Sequence, residues 1–346
     1  MRLCEITIRP LGALGTPLWG DTLFGQFCWQ VEYDPGLVNG GLDRWVKIYR
    51  ERPFAVFSSA IMRFQDNGRI IYALKRPDLP RGWFFKKTAD RVAAFLELKK
   101  IKEKPWVLVD EDGRLDLGRL AGHEELWDLL MRSVSLRQPA LYRRLSKSEV
   151  QPLLLTYPQP HNTIYRLTQT TGKGAFAPYV MENYFYTPGV ELALWVLIDE
   201  EALDLERLCV GLRRLGQTGF GRDASTGLGR FEVVGHRELP LPHHPEANAC
   251  YTLAPCVPAP ASYGEAYFVP FVRYGKHGDR LAVSRQPFKA PVVMAAQGAV
   301  FVLQDPQAFA KPWFGRAVTG VSKIQDKAVV QGYTPYLPLK LEGSHD

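Results

Sequence analysis

Residues 219–230 read Gly-Phe-Gly-Arg-Asp-Ala-Ser-Thr-Gly-Leu-Gly-Arg. Glycine tolerates positive φ and lets a second backbone come close, so Gly219, Gly221, Gly227 and Gly229 can expose peptide N–H groups. Together with the guanidinium groups of Arg222 and Arg230, and the hydroxyls of Ser225 and Thr226, they suit an extended polyanion, with phosphate as the natural guest. The same spacing also fits a helix C-cap glycine followed by a tight turn, with both arginines in solvent. Phe220 is either a stacking surface or a core residue that anchors the loop. The loop is no nucleotide-binding P-loop, because it lacks the terminal G-K-[ST] and follows a helix where a P-loop follows a strand.

Two more segments carry polar chemistry. Residues 15–25, Gly-Thr-Pro-Leu-Trp-Gly-Asp-Thr-Leu-Phe-Gly, precede a helical apolar pattern through Phe27, Cys28 and Val31. Gly15, Thr16 and Gly20 therefore belong to a loop and helix N-terminus able to face a phosphate, and Asp21 is expected to cap that helix. In residues 161–174, His161-Asn162 opens an alternation of Thr163, Tyr165 and Leu167 against Ile164, Arg166 and Thr168. This predicts a strand that runs through Thr170, Thr171, Lys173 and Gly174 into a projecting hairpin, returning at Tyr184–Tyr186. Its hydroxyls and Arg166 can meet ribose and phosphate, or the strand is simply polar and exposed.

Catalytic chemistry finds few candidates. His161 and His277 lie in polar loops beside cations, and neither has a visible partner. G-x-S-x-G is missing, and so is H-E-x-x-H; no metal or cofactor is expected. Metal-independent RNA cleavage needs only a general acid and base near a 2′-hydroxyl, so an endoribonuclease remains the alternative reading.

These segments need elements to hold them. Cys4, Ile6 and Ile8 alternate with polar residues and predict a strand over residues 2–9 with one face inward. Leu205, Leu208, Cys209, Leu212 and Leu215 recur at helical spacing after Asp204, an N-cap, and Gly216 is expected to end that helix. Residues 192–198 read as a buried strand before it, and Phe231, Val233 and Val234 as a strand after the glycine loop. Strand, helix, glycine loop, strand fits the second half of a β-α-β-β-α-β unit, whose sheet can present a face to single-stranded RNA. Further helices are expected at Leu42–Tyr49 and Glu124–Met131, short strands at 54–58 and 69–74, and a β-rich end piece after a proline-rich stretch at 236–263. A domain boundary is placed between Pro139 and Pro160, where Arg143, Arg144 and Lys147 cluster and prolines recur.

The 346 residues are 46% hydrophobic and carry 43 Lys plus Arg against 36 Asp plus Glu, a net charge of +7. That suits a polyanionic partner or an ordinary basic protein. Five cysteines without C-x-x-C spacing argue against a disulfide framework or zinc site and point to a reducing cytoplasm. No apolar run approaches the roughly 20 residues needed to span a bilayer, and no membrane role is expected.

The three segments together, 15–25, 161–168 and 219–229, resemble the RAMP superfamily of CRISPR-associated proteins, and most of all the Cas5-group subunit of type III-A (Csm) effector complexes. The likeness runs in order over residues 1 to about 235, and Gly315-Arg316, Gly320-Val321-Ser322 and Gln331-Gly332-Tyr333 extend it. The resemblance implies an α+β chain of two ferredoxin-like (RRM-like) domains with a β-rich C-terminal extension, divided 1–150, 151–240 and 241–346. It implies a subunit without catalysis that holds the 5′ handle of the CRISPR RNA. That subunit would touch the large polymerase-like (palm-domain) subunit and the repeating RAMP backbone subunit, and meet target RNA only indirectly. Residues 219–229 with Arg230 then correspond to the handle-clasping loop, residues 15–21 to the loop facing it, and residues 170–179 to a thumb. His161 matches a motif position without an assigned role.

Overall fold

The computed structural model describes residues 1–84, 90–304 and 309–341. Its framework is an eight-stranded sheet. β1 (Arg2–Pro10) leads through α1 (Gly20–Tyr33) and α2 (Gly41–Lys47) to β2 (Ala55–Phe57), β3 (Ile61–Asp66) and β4 (Arg69–Lys75). After α3 (Arg91–Lys102) come β5 (Trp106–Asp110), β6 (Leu120–Ala121), α4 (His123–Arg137) and α5 (Pro139–Leu145). A hairpin of β7 (Leu154–His161) and β8 (Tyr179–Tyr186) precedes β9 (Glu191–Ile198), α6 (Leu205–Thr218) and β10 (Phe231–Leu239). The strand order is β10-β1-β9-β3-β4-β5-β6, with β2 also on β9. β1 thus lies antiparallel between two strands from beyond residue 190, and hydrogen bonding crosses the division expected near residue 150.

β1 was expected to bury one face only, and it buries both. Cys4, Ile6 and Ile8 are fully buried, and so is Glu5. A buried carboxylate needs compensation. Glu5 accepts from Arg63 Nε at 2.7 Å, Arg237 Nε at 2.8 Å, Tyr72 Oη at 2.5 Å and Thr7 Oγ1 at 3.1 Å. Beside it, Glu191 of β9 receives Arg9 at 3.0 Å, Arg63 at 3.3 Å and Arg137 of α4. Burial, with Arg9 and Arg63 close by, pulls the Arg137 pKa down to about 10. These charges fasten α4 to the sheet.

α6 follows the expected pattern and runs further. Asp204 caps it by accepting from Arg207 N at 2.8 Å. Gly216 lies inside the helix, not at its end, because a Cβ there would stand 2.2 Å from the Phe231 carbonyl oxygen. The helix stops at Thr218, and Gly219 takes φ 98°. Asp21, expected to cap α1, lies inside its first turn, and Trp19 takes the cap position. Asp21 is buried against Arg273, whose Nε stands 2.7 Å from Oδ2 and whose guanidinium lies 4.2 Å from the Trp19 ring centroid. Sequence spacing cannot reveal a partner 252 positions away.

The last third is β-rich. β11 (Ala249–Thr252), β12 (Tyr263–Tyr267), β13 (Pro270–Arg273), β14 (Val292–Ala295), β15 (Val300–Leu303), β16 (Trp313–Gly315), β17 (Val318–Thr319), β18 (Val329–Val330) and β19 (Tyr333–Leu339) follow in order. Five of them form a sheet in the order β12-β15-β11-β19-β16, and every helical segment described after Thr218 is a 3-10 turn. Tyr251, Val300 and Leu337 join the same core as β1 and β9. The thiols of Cys4, Cys28, Cys209, Cys250 and Cys256 are free, and burial pushes those of Cys4 and Cys28 up to about 12.

Gly216→Ala is expected to destabilise the protein by about 1–3 kcal/mol through overpacking, read as a lower urea midpoint at unchanged slope. Asp204→Ala should cost about 1 kcal/mol as a lost cap.

Candidate nucleic-acid interface

Two of the three polar segments, 15–25 and 219–230, meet at one place, and the third is carried there on a hairpin whose other arm, residues 182–184, makes the contact. A Cβ on Gly15 would stand 2.4 Å from the Arg222 carbonyl oxygen, and one on Gly221, at φ 76°, would stand 2.7 Å from Thr16 Cβ. Thr16 Oγ1 accepts from Arg222 N at 3.0 Å, and Gly229 N donates to Ala13 O at 2.8 Å. The hairpin joins on the other side: Leu14 and Tyr184 exchange backbone hydrogen bonds of 2.8 and 2.9 Å. Arg222 Nη2 donates to Glu182 O and to Asn183 Oδ1, both at 2.7 Å.

This geometry divides the expected contact residues into a packed root and an open rim. Gly15, Gly20, Gly219, Phe220 and Gly229 are buried. At Gly229, with φ 75°, a Cβ would meet the Phe220 carbonyl oxygen at 2.1 Å, and at Gly219 the Leu228 oxygen at 2.5 Å. Phe220 is 0% exposed, so it anchors the loop and offers no stacking face. Gly20 packs on Phe57 O and donates its N–H to Ser59 Oγ at 3.3 Å. The amides of Phe220, Arg222, Thr226, Gly227, Leu228 and Gly229 all have acceptors within the chain, so most of the loop's N–H groups are engaged internally. Arg222 is an internal tie, held further by Asp223 at 3.2 Å. These positions were expected to clasp RNA; within the chain their glycines make close backbone-to-backbone contacts, which the same residue types permit.

The rim is exposed. Ser225, Thr226 and Gly227 form the loop tip, and Arg230 stands beyond it. Asn162, Arg166, Thr168, Thr170, Thr171 and Lys173 are exposed at the hairpin tip. The hairpin differs from the expected one by half a strand. Its arms pair from Leu154↔Tyr186 to His161↔Tyr179, so residues 162–178 are tip, not strand. Tyr165 N bonds to Thr170 O at 3.0 Å and Gln169 turns at φ 55°. Pro158 and Pro160, which in the sequence suggest a boundary, sit two apart in β7. Their missing amides fall on one edge, and a two-stranded ribbon has no further partner there to lose.

His161 stacks on Tyr179 with centroids 5.3 Å apart and planes 9° apart. His277 is buried, with Nε2 2.8 Å from Ser322 Oγ, and burial together with the Lys289 ammonium holds its pKa below the usual histidine value. Among the described residues no group of three His, Cys, Asp or Glu is placed to hold a metal ion, and no helix is long and apolar enough to cross a membrane. Sequence reasoning missed Asn183, which is buried, receives Arg222 and donates to Gln159. Only its place in a strand bordered by exposed residues hinted at a special role.

No protein-family model matches the sequence, and no match is found among curated proteins. Solved structures do match. A chain from a Csm1–Csm4 cassette in complex with pppApA is 14% identical, aligned over 99% of this chain and 100% of its own, with a TM-score of 0.56. A chain from a Csm3–Csm4 subcomplex of the type III-A CRISPR-Cas interference complex gives the same identity, coverage and TM-score, and another Csm1–Csm4 cassette, with AMPPNP, gives 15% and 0.55. The fold of this chain is therefore an α+β fold found in type III-A effector complexes. Csm4 is the subunit those assemblies have in common, and the fold agrees with the Cas5-group RAMP resemblance carried by the three motifs.

Arg222→Ala is expected to speed amide exchange in residues 182–184 and to cost about 1.5–3 kcal/mol, the range for hydrogen bonds to a charged group. Unchanged exchange there would show that the hairpin is held by something else.

Proposed function

We propose that this chain is a non-catalytic RNA-binding subunit of a cytoplasmic type III-A effector complex. It holds the 5′ handle of the CRISPR RNA and joins the large polymerase-like subunit to the repeating RAMP backbone subunit. In this reading the C-terminal sheet serves as the second of two facing RAMP modules, and target RNA is met only through the guide. The observation that carries the reading is the convergence of residues 13–16, 182–184 and 219–229 on one packed root, which sets two cation-bearing exposed tips beside it.

The division of labour follows from charge and burial. Arg230 at the loop, and Arg166 and Lys173 at the hairpin, are solvent-exposed cations with no acidic partner among the described residues. They can neutralise phosphates of a splayed strand, while Tyr165, exposed at 36% and 4.6 Å from Phe176, offers a base a ring to stack on. A rigid root suits recognition of a constant segment, since base pairing by the guide reads the variable target. The likeness to chains from Csm1–Csm4 and Csm3–Csm4 assemblies supports both protein partners.

The test is reconstitution with the neighbouring subunits and guide RNA. Arg230→Ala with Lys173→Ala should weaken RNA retention several-fold and flatten the salt dependence by about 0.7 for each phosphate left without its cation. Retention unchanged in both respects would end the proposal. Incubating the full chain with repeat RNA in EDTA should yield no discrete product; a product of fixed length would make the chain a ribonuclease.

A further inference from the structure

α5 carries Arg143 and Arg144, and Lys147 follows it. All three are exposed, and none faces a carboxylate among the described residues. Arg2, Arg63, Arg132 and Arg137, by contrast, each hold a carboxylate. Unpaired like charges on one short helix repel one another, so their clustering calls for an outside anion.

A groove lies beside them. Arg144 lines a cleft of about 490 Å³ whose other walls are residues 9–12, at the end of β1, and residues 185–190, which lead out of the hairpin. That volume falls within the range of about 300–1,000 Å³ usual for small-ligand sites. Phe185 and Tyr186 are both in the lining; as neighbours in β8 they point to opposite faces, and Tyr186 packs on the main core, so the Phe185 side gives that wall its aromatic character. The groove adjoins the glycine loop, because Leu11, which lines it, donates its N–H to the Arg230 carbonyl at 2.9 Å.

We propose that this groove is a second RNA-binding site on the chain, holding the ribose-phosphate backbone next to the segment held at the glycine loop. Arg143, Arg144 and Lys147 pair with phosphates, and the Phe185 side of the wall faces a base or ribose. The inference rests on the handle-binding reading above and extends its contact surface across α5. RNA is favoured over an acidic protein segment because the cleft sets the unpaired Arg144 opposite an aromatic wall, has Arg143 and Lys147 exposed on the same element outside it, and runs into the loop that carries Arg230. Base stacking and phosphate neutralisation are the two terms that drive single-strand binding.

The experiment uses the full chain in the assembly with which it co-purifies and the guide RNA itself as probe. The triple change Arg143→Ala, Arg144→Ala, Lys147→Ala is at the surface, and an unchanged thermal midpoint will verify folding. We expect about tenfold weaker RNA retention at about 150 mM salt and a salt slope flatter by about 2, near 0.7 for each of three phosphates. Arg143→Lys with Arg144→Lys should restore most of the slope. The Arg230→Ala, Lys173→Ala pair separates the two readings. If that pair weakens retention while the triple variant does not, the groove is overturned and the handle reading stands; if neither variant matters, both fall. Loss of a protein subunit at unaltered RNA slope would assign the groove to an acidic protein partner and overturn this inference.

Discussion

Backbone pressed against backbone is the constraint on which the interface depends. Gly229 against Phe220, Gly219 against Leu228, Gly15 against Arg222 and Gly221 against Thr16 leave no room for a Cβ. Segments that are distant in sequence are thereby fixed to within ångströms of each other. A guanidinium then locks the hairpin to this root, since Arg222 donates to both Glu182 and Asn183. The exposed tips inherit their positions from this buried root. Rigid support beneath a small number of polar groups is what binding at low entropic cost requires.

Electrostatics follows the same division. Within the body, Glu5 and Glu191 each gather several cations, and the sheet could not bury them otherwise. With Glu232 and Glu111, which also hold Arg9 and Arg237, these carboxylates balance Arg9, Arg63, Arg137 and Arg237, while cations without a partner stand at the periphery. Arg166, Lys173 and Arg230, with the cations of α5, are among them. A net charge alone could not have told interior from rim, because it counts both alike.

Much of this was legible in the residues. The helix capped by Asp204, the buried strand before it and the loop beginning at Gly219 are set by local rules of periodicity, capping and φ, and those rules operate within a few positions. The α+β class followed from them. What stayed hidden depends on long-range partners. Glycine at 219 and 229 means open backbone or close packing with equal propriety, and only the fold decides for packing. Asp21 has every local qualification for a cap, yet Arg273 claims it. Prolines at 158 and 160 looked like linker because a ribbon edge tolerates them as well as a linker does. The boundary expected near residue 150 rested on the cations and prolines of 139–160, a local texture that carries no sign of β1 pairing with β9 and β10.

The seat of β1 also bears on how the chain comes off the ribosome. Its first strand emerges with neither flank covered, and the residues that must lie against it are made almost two hundred positions later. Until then its unpaired edges are exposed to other nascent chains. Such a topology folds slowly and late, so the edges of β1 stay open to mispairing until β9 and β10 have been made.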